Sequence, residues 1–224
     1  GRRDWPVHRF DRDDIAALCA VQPFGRRSRA FDSRFPLSTF AEVLDIAAAG
    51  SAPARRIGVY PELKHPAFFA AQGIDVTAIC IDLLRGRGHG GKHDAVWLQC
   101  FEIEPLRRVH QALALPAFFL VEPGDIGAVD WLRALHARHS WLDGIALPKS
   151  ALIGTNGDPD LLIAAHDLGW QVHVWTLRDD QVMPGFADVQ AELGALFELG
   201  VDALFADFPG TAVLARDAIG RAAS

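Results

Sequence analysis

Glu62-Leu63-Lys64 sets a carboxylate and an ammonium two positions apart. On a strand, residues i and i+2 share a face. The pair would then project together, the carboxylate toward a hard cation and the ammonium toward an anionic oxygen. A plain ion pair at a strand end is the competing reading. Further candidates stand where other apolar runs end. His65 follows Lys64, then come Gln99 and Phe101, Glu122, Lys149, Trp175 with Arg178, and Asp207. Gathered at one mouth, carboxylates, lysines, an amide and an aromatic wall would suit a divalent cation and a phosphate.

Several other patterns lead elsewhere or nowhere. Residues 86–93 (GRGHGGKH) match the glycine and lysine spacing of a phosphate-cradling loop. That loop needs a strand before it, a helix after it and a hydroxyl following the lysine. Here the order is reversed and His93 takes the hydroxyl's place, so the stretch reads as a helix-to-strand turn. His136 and His139 are three apart on a helix, with no third ligand nearby, and read as surface residues. Cys19, Cys80 and Cys100 form no CxxC pair and leave the compartment open. Arg26, Arg27, Arg29 and Arg34 gather early, with Asp32 among them, and read as a solvated loop. A net charge of −6 leaves no basic footprint for nucleic acid. No run approaches the ~20 apolar residues that span a bilayer. Oligomeric state is not legible.

The elements that must position the candidates come next. Strands are expected at 56–62, 95–101, 117–122, 144–147, 171–177 and 203–206. Most are continuous apolar runs, as in parallel strands buried on both faces. Helices are expected between them, at 105–115, 128–138, 159–168, 189–199 and 211–219. Gly169 and Gly200 stand where helices should stop, and Asp158-Pro159 where one should start. Ahead of these lie helical stretches at 13–21 and 38–49, the second capped with Glu42 near its first turn. The repeated unit gives an α/β fold in one domain over 1–224. Pattern alone leaves a barrel and an open sheet equally available.

With those residues in view, IGVYPELKHP (57–66) closely resembles a strand motif of the glycerophosphodiester phosphodiesterase family, in its bacterial periplasmic-type branch. VWLQCF (96–101), VHVWTLR (172–178) and ALFADFP (203–209) resemble later strands in order, and DWPVHRF (4–10) resembles an early segment. The resemblance implies a distorted (β/α)8 TIM barrel of phospholipase C-like type. It implies metal-dependent hydrolysis of a small-molecule glycerophosphodiester to an alcohol and sn-glycerol 3-phosphate, with calcium or magnesium. It favours a periplasmic or secreted location. Carried over, Glu62 becomes a metal ligand, Lys64 a phosphate contact and Trp175 a wall of the glycerol pocket, with Gln99 and Phe101 at the same mouth. The family's His-Arg-Gly and Glu-x-Asp motifs, and its following His-Asp pair, do not occur here. The expectation is therefore a partial domain holding strands three to eight, with strands one and two missing. Catalytic residues would lie outside the chain, and the chain itself would be inactive. A degenerate barrel that binds phosphodiesters or a partner, and a related phospholipase-type phosphodiesterase, remain as alternatives.

Overall fold

Five strands form one sheet, all parallel and ordered as they occur in the chain: β1 (Leu98–Cys100), β2 (Ala117–Leu120), β3 (Gly144–Pro148), β4 (Gln171–Leu177) and β5 (Ala203–Ala206). The structure is a computed structural model and describes residues 6–222. A doubly wound sheet reverses its strand order at a switch point. This sheet never reverses, so every crossover steps the same way and the strands follow the arc of a (β/α)8 barrel.

The expected strand at 56–62 is present only as isolated parallel bridges, Val59 to Val96 and Glu62 to Gln99. Backbone hydrogen bonds carry the ladder between them, from Trp97 N to Val59 O at 3.0 Å and from Gln99 N to Pro61 O at 3.1 Å. Pro61 has no N–H to return, which interrupts the regular ladder. The expected strand at 117–122 stops at Leu120, and that at 95–101 shortens to three residues.

Nine α-helices occur among the described residues: α1 (Arg12–Ala16), α2 (Phe40–Gly50), α3 (Pro66–Ala70), α4 (Val76–Gly86), α5 (Ile103–Leu113), α6 (Val129–His139), α7 (Asp160–Asp167), α8 (Val189–Leu199) and α9 (Pro209–Ala222). Local chemistry sets their ends. Thr39 and Glu42 form a reciprocal capping box on α2. Asp188 caps α8, and Gly200 at φ +90° ends it, a conformation that costs glycine little. The helical stretch expected at 13–21 ends early as α1. Beyond Ala17 the chain bridges Cys19 to Pro36, closing a loop over residues 19–36.

β1 to β3 and most of β4 are buried on both faces, as their apolar runs foretold, while β5 is half-buried throughout. On the outer face Leu98, Cys100, Val172 and Val174 pack beneath Leu106 and Val109 of α5, Leu132 of α6 and Leu161 of α7 in one core. On the inner face lie aromatic rings. Phe118 of β2 stacks on His173 of β4 with centroids 4.0 Å apart, and Tyr60 meets both edge-on at 5.7 and 5.6 Å. The Tyr60 hydroxyl is 2.9 Å from His173 Nδ1. Burial pushes the imidazole down to about 4 and the phenol up from its ordinary value. Gly144 makes room for this layer. A Cβ there would meet Gln171 O at 2.1 Å and the Phe118 ring at 2.8 Å.

Candidate functional site

The inner face of the bridged segment presents Tyr60 deep in the interior, then Glu62, then Lys64 at the rim. Glu62 and Lys64 line one cleft of about 400 Å3 at the carboxyl ends of the strands. Their charged atoms are 3.7 Å apart, with Lys64 exposed and Glu62 half-buried. The side-by-side projection expected from their spacing is therefore present, while Leu63 turns into the core. The parallel bridge sets Gln99 beside Glu62. Gln99 is 6% exposed, and its Oε1 is buried with no hydrogen-bond partner. Phe101 and Trp175 meet edge-to-face at 6.0 Å and form an aromatic wall of the same cleft. The Trp175 indole N–H donates to Ala146 O at 3.2 Å, which fixes the plane of that wall.

Opposite Glu62 the cleft is closed by Arg178 and Asp207. Arg178 Nε donates to Asp207 Oδ2 at 2.8 Å, and Arg27 Nη1 stands 2.8 Å from the same oxygen. Arg27 also donates from Nε and Nη2 to Asp180, at 2.7 and 2.8 Å, and lies over the rings of Phe24 and Phe208. Burial pulls the Asp207 carboxyl up, but Arg178 and then Arg27 hold it below its ordinary range. The early arginine loop is thus not simply solvated. Arg27 is its anchor, with 12% of its side chain exposed, and Arg26, Arg29 and Arg34 remain outside. No sequence signal separates Arg27 from its neighbours, since its partner Asp180 is 153 positions away.

Three further candidates are not at the mouth, and of these His65 is exposed at the start of α3. Lys149 turns away and pairs with Glu192 of α8 at 2.8 Å, where Glu192 is fully buried. Glu122 is exposed in the loop after β2, and Leu120 lines the cleft in its place.

The model of the Glycerophosphoryl diester phosphodiesterase family matches residues 3–211. The chain belongs to that family. A glycerophosphodiester phosphodiesterase from Arabidopsis thaliana is 26% identical over 90% of this chain and 62% of its own length. One from Haemophilus influenzae is 25% identical over 91% of this chain and 68% of its own. A Silicibacter pomeroyi crystal structure named for the family superposes with a TM-score of 0.63 at 21% identity, covering 85% of this chain and 60% of that one. A glycerophosphodiester phosphodiesterase structure from Thermotoga maritima gives 0.53 at 12% identity, covering 81% of this chain and 64% of that one. The chain spans less than two thirds of the length of the Arabidopsis relative and of both structures.

Against the family pattern, the cation site is the part these residues do not build. Glu62 is a single carboxylate with Lys64 beside it, and Asp207 is held by two arginines. Among the described residues no three His, Cys, Asp or Glu side chains group as metal ligands. His8 of the early segment packs against Phe68 and Phe69 of α3 and does not line the cleft. Asp4 and Trp5 of that segment lie outside the described residues. The glycine-rich turn at 86–93 holds its own anion, because the Gly90 and Gly91 N–H groups donate to Asp94 at 2.7 and 3.0 Å. His136 packs against Trp170, with ring centroids 4.9 Å apart. Of the described helices, none is long and apolar enough to cross a membrane.

Proposed function

We propose that the cleft binds a glycerophosphodiester and that the chain by itself does not hydrolyse it. One observation carries this reading. Glu62, Lys64, Gln99, Phe101 and Trp175 come from three separate segments and line a single cleft, in a chain of the phosphodiesterase family. Lys64 is a point charge for a phosphate oxygen. Phe101 and Trp175 offer apolar faces to the glycerol carbons. The unpartnered Gln99 oxygen accepts from a glycerol hydroxyl, which relieves the cost of leaving it buried and unpaired.

Hydrolysis to an alcohol and sn-glycerol 3-phosphate needs a base to activate the nucleophile and an acid to protonate the leaving alkoxide. Among the described residues no histidine lines the cleft. The family works with a divalent cation, calcium or magnesium. Glu62 is the residue that would reach it, and it would need carboxylates beyond those gathered here. The chain therefore supplies recognition without the acid–base step. This is the phosphodiester-binding alternative restricted to the chain alone, and the incomplete carboxylate set favours it.

The test is titration with sn-glycerol 3-phosphate, followed through the Trp175 indole N–H resonance, assigned with a Trp175→Phe variant. Saturable shifts are expected, weakened about ten-fold in Lys64→Ala, the loss of one charge-assisted contact. An indole signal that never moves, with binding mapped to another face, would remove the cleft as the site.

A further inference from the structure

The loop over residues 19–36 is braced from within. Across its neck the Ala20 N–H donates to Phe35 O and the Ser33 N–H to Ala20 O, both at 2.9 Å. The Asp32 carboxylate accepts from the Gln22 N–H at 2.8 Å, tying the two sides together. Arg27 pins the loop to the carboxyl end of the sheet through Asp180 and Asp207. Its guanidinium also lies over the Phe24 and Phe208 rings, at 4.5 and 4.9 Å. Asp207 lines the cleft, so the loop stands at the rim of that mouth.

Its outward side chains are of two kinds. Leu18, Val21, Phe24, Phe31, Phe35 and Leu37 are all exposed within twenty positions. Phe31 and Phe35 are 63% and 57% exposed, and their rings meet at 6.0 Å. Single exposed apolar residues need no explanation, but a cluster marks an interaction surface. Arginines stand among these rings. Arg26, Arg29 and Arg34 are exposed, and among the described residues Arg26 and Arg34 have no ion-pair partner. Four arginines against the one acid, Asp32, give residues 19–36 a charge of +3. The whole chain carries −6, which leaves −9 for everything else.

That pairing of rings and guanidiniums selects the occupant. Phenyl rings enter the boundary between headgroups and acyl chains, while arginine heads stay level with the lipid phosphates. An anionic bilayer attracts such a basic patch and repels the acidic remainder, so attraction through this loop also sets orientation.

We infer that the loop over residues 19–36 docks the protein onto an anionic lipid surface. Phe31 and Phe35 enter the headgroup–acyl boundary, and Arg26, Arg29 and Arg34 meet lipid phosphates. Because Arg27 holds the loop beside Asp207, docking brings the mouth of the cleft to the lipid. The docking rests on the loop alone. Only its use, access to glycerophosphodiester headgroups at a membrane, rests on the phosphodiester-binding reading.

The test is flotation of the 224-residue protein with vesicles of phosphatidylcholine and phosphatidylserine. Saturable binding is expected, and it should be about ten-fold weaker or worse on phosphatidylcholine alone. Phe31→Ser with Phe35→Ser should weaken it by about ten-fold or more. Arg26→Gln with Arg34→Gln should cost about 30-fold at low salt, roughly five-fold for each arginine, and less as salt is raised. All four side chains are exposed, so circular dichroism should be unchanged in both pairs. Excess sn-glycerol 3-phosphate should not displace the protein, since the loop does not line the cleft. Absence of binding, equal binding to both vesicles, or binding untouched by either pair of substitutions overturns the docking. So does displacement by sn-glycerol 3-phosphate, which would place the contact in the cleft, or a self-dimer that the Phe31 and Phe35 changes dissolve. Anionic-vesicle binding that responds to both pairs, beside a cleft that never responds to sn-glycerol 3-phosphate, upholds the docking and removes the phosphodiester reading.

Discussion

Glu62 and Lys64 show how far residue spacing can be read: a two-residue interval on a strand put both in the cleft, 3.7 Å apart. Lys149 shows where such reading stops. It follows a strand as Lys64 does, yet it serves Glu192, which lies on the buried stripe of α8 with Val189, Leu193 and Leu196, a pairing across 43 positions that strand-end spacing does not reveal. Removing one partner of a buried pair leaves the other uncompensated. Lys149→Met is expected to lower unfolding free energy by about 3 kcal/mol or more, measured by urea denaturation, whereas Lys64→Ala changes it by about 1 kcal/mol or less. His173 adds a dependence on pH. Its imidazole sits at about 4 in the folded protein, against about 6.5 when unfolded. Between those values the unfolded chain binds the extra proton, so stability is full above pH ~6.5 and falls as pH drops toward 4. The loss is on the order of 3 kcal/mol at most. Denaturation midpoints of the wild type should decline across that window, and a His173→Phe variant should show a flatter slope.

Among the elements, apolar runs located all five regular strands, most of them buried on both faces, and each expected helical stretch holds a helix, whereas α3 and α4 lie outside the expected ranges. Ends were less legible. α1 stops at Ala16 because the chain must turn toward the Cys19–Pro36 bridge, a tertiary demand without a local signal. The segment at 56–62 reads as a strand but pairs only at isolated bridges, since Pro61 lacks a donor. Caps were the best local signal. Thr39 and Glu42 form the box that their spacing suggests, and Thr39→Ala should cost about 1 kcal/mol of stability in a thermal or urea melt. Gly144 is a stricter position. Gly144→Ala pushes a methyl group against Gln171 O and Phe118, and a loss of about 1–3 kcal/mol is expected from overpacking; an unchanged melt would show that the β3–β4 approach has slack.

For the molecule as a whole, strand order decided what hydrophobic pattern could not. The sequential, never-reversing sheet is a barrel arc, and Glu62, Lys64, Gln99, Phe101 and Trp175 line one cleft at its carboxyl edge. What stayed hidden was the coupling across that edge. Arg27 ties the early loop to Asp180 and Asp207, and Arg178 shares the second carboxylate. The arc carries the walls of the cleft proposed to bind a phosphodiester, and among the described residues no histidine lines it and no set of carboxylates groups there. The most direct measurement is hydrolysis of glycerophosphocholine by the purified 224-residue protein in excess calcium or magnesium. Release of choline no faster than the protein-free control is the expected result, and turnover at ordinary enzyme rates would contradict it.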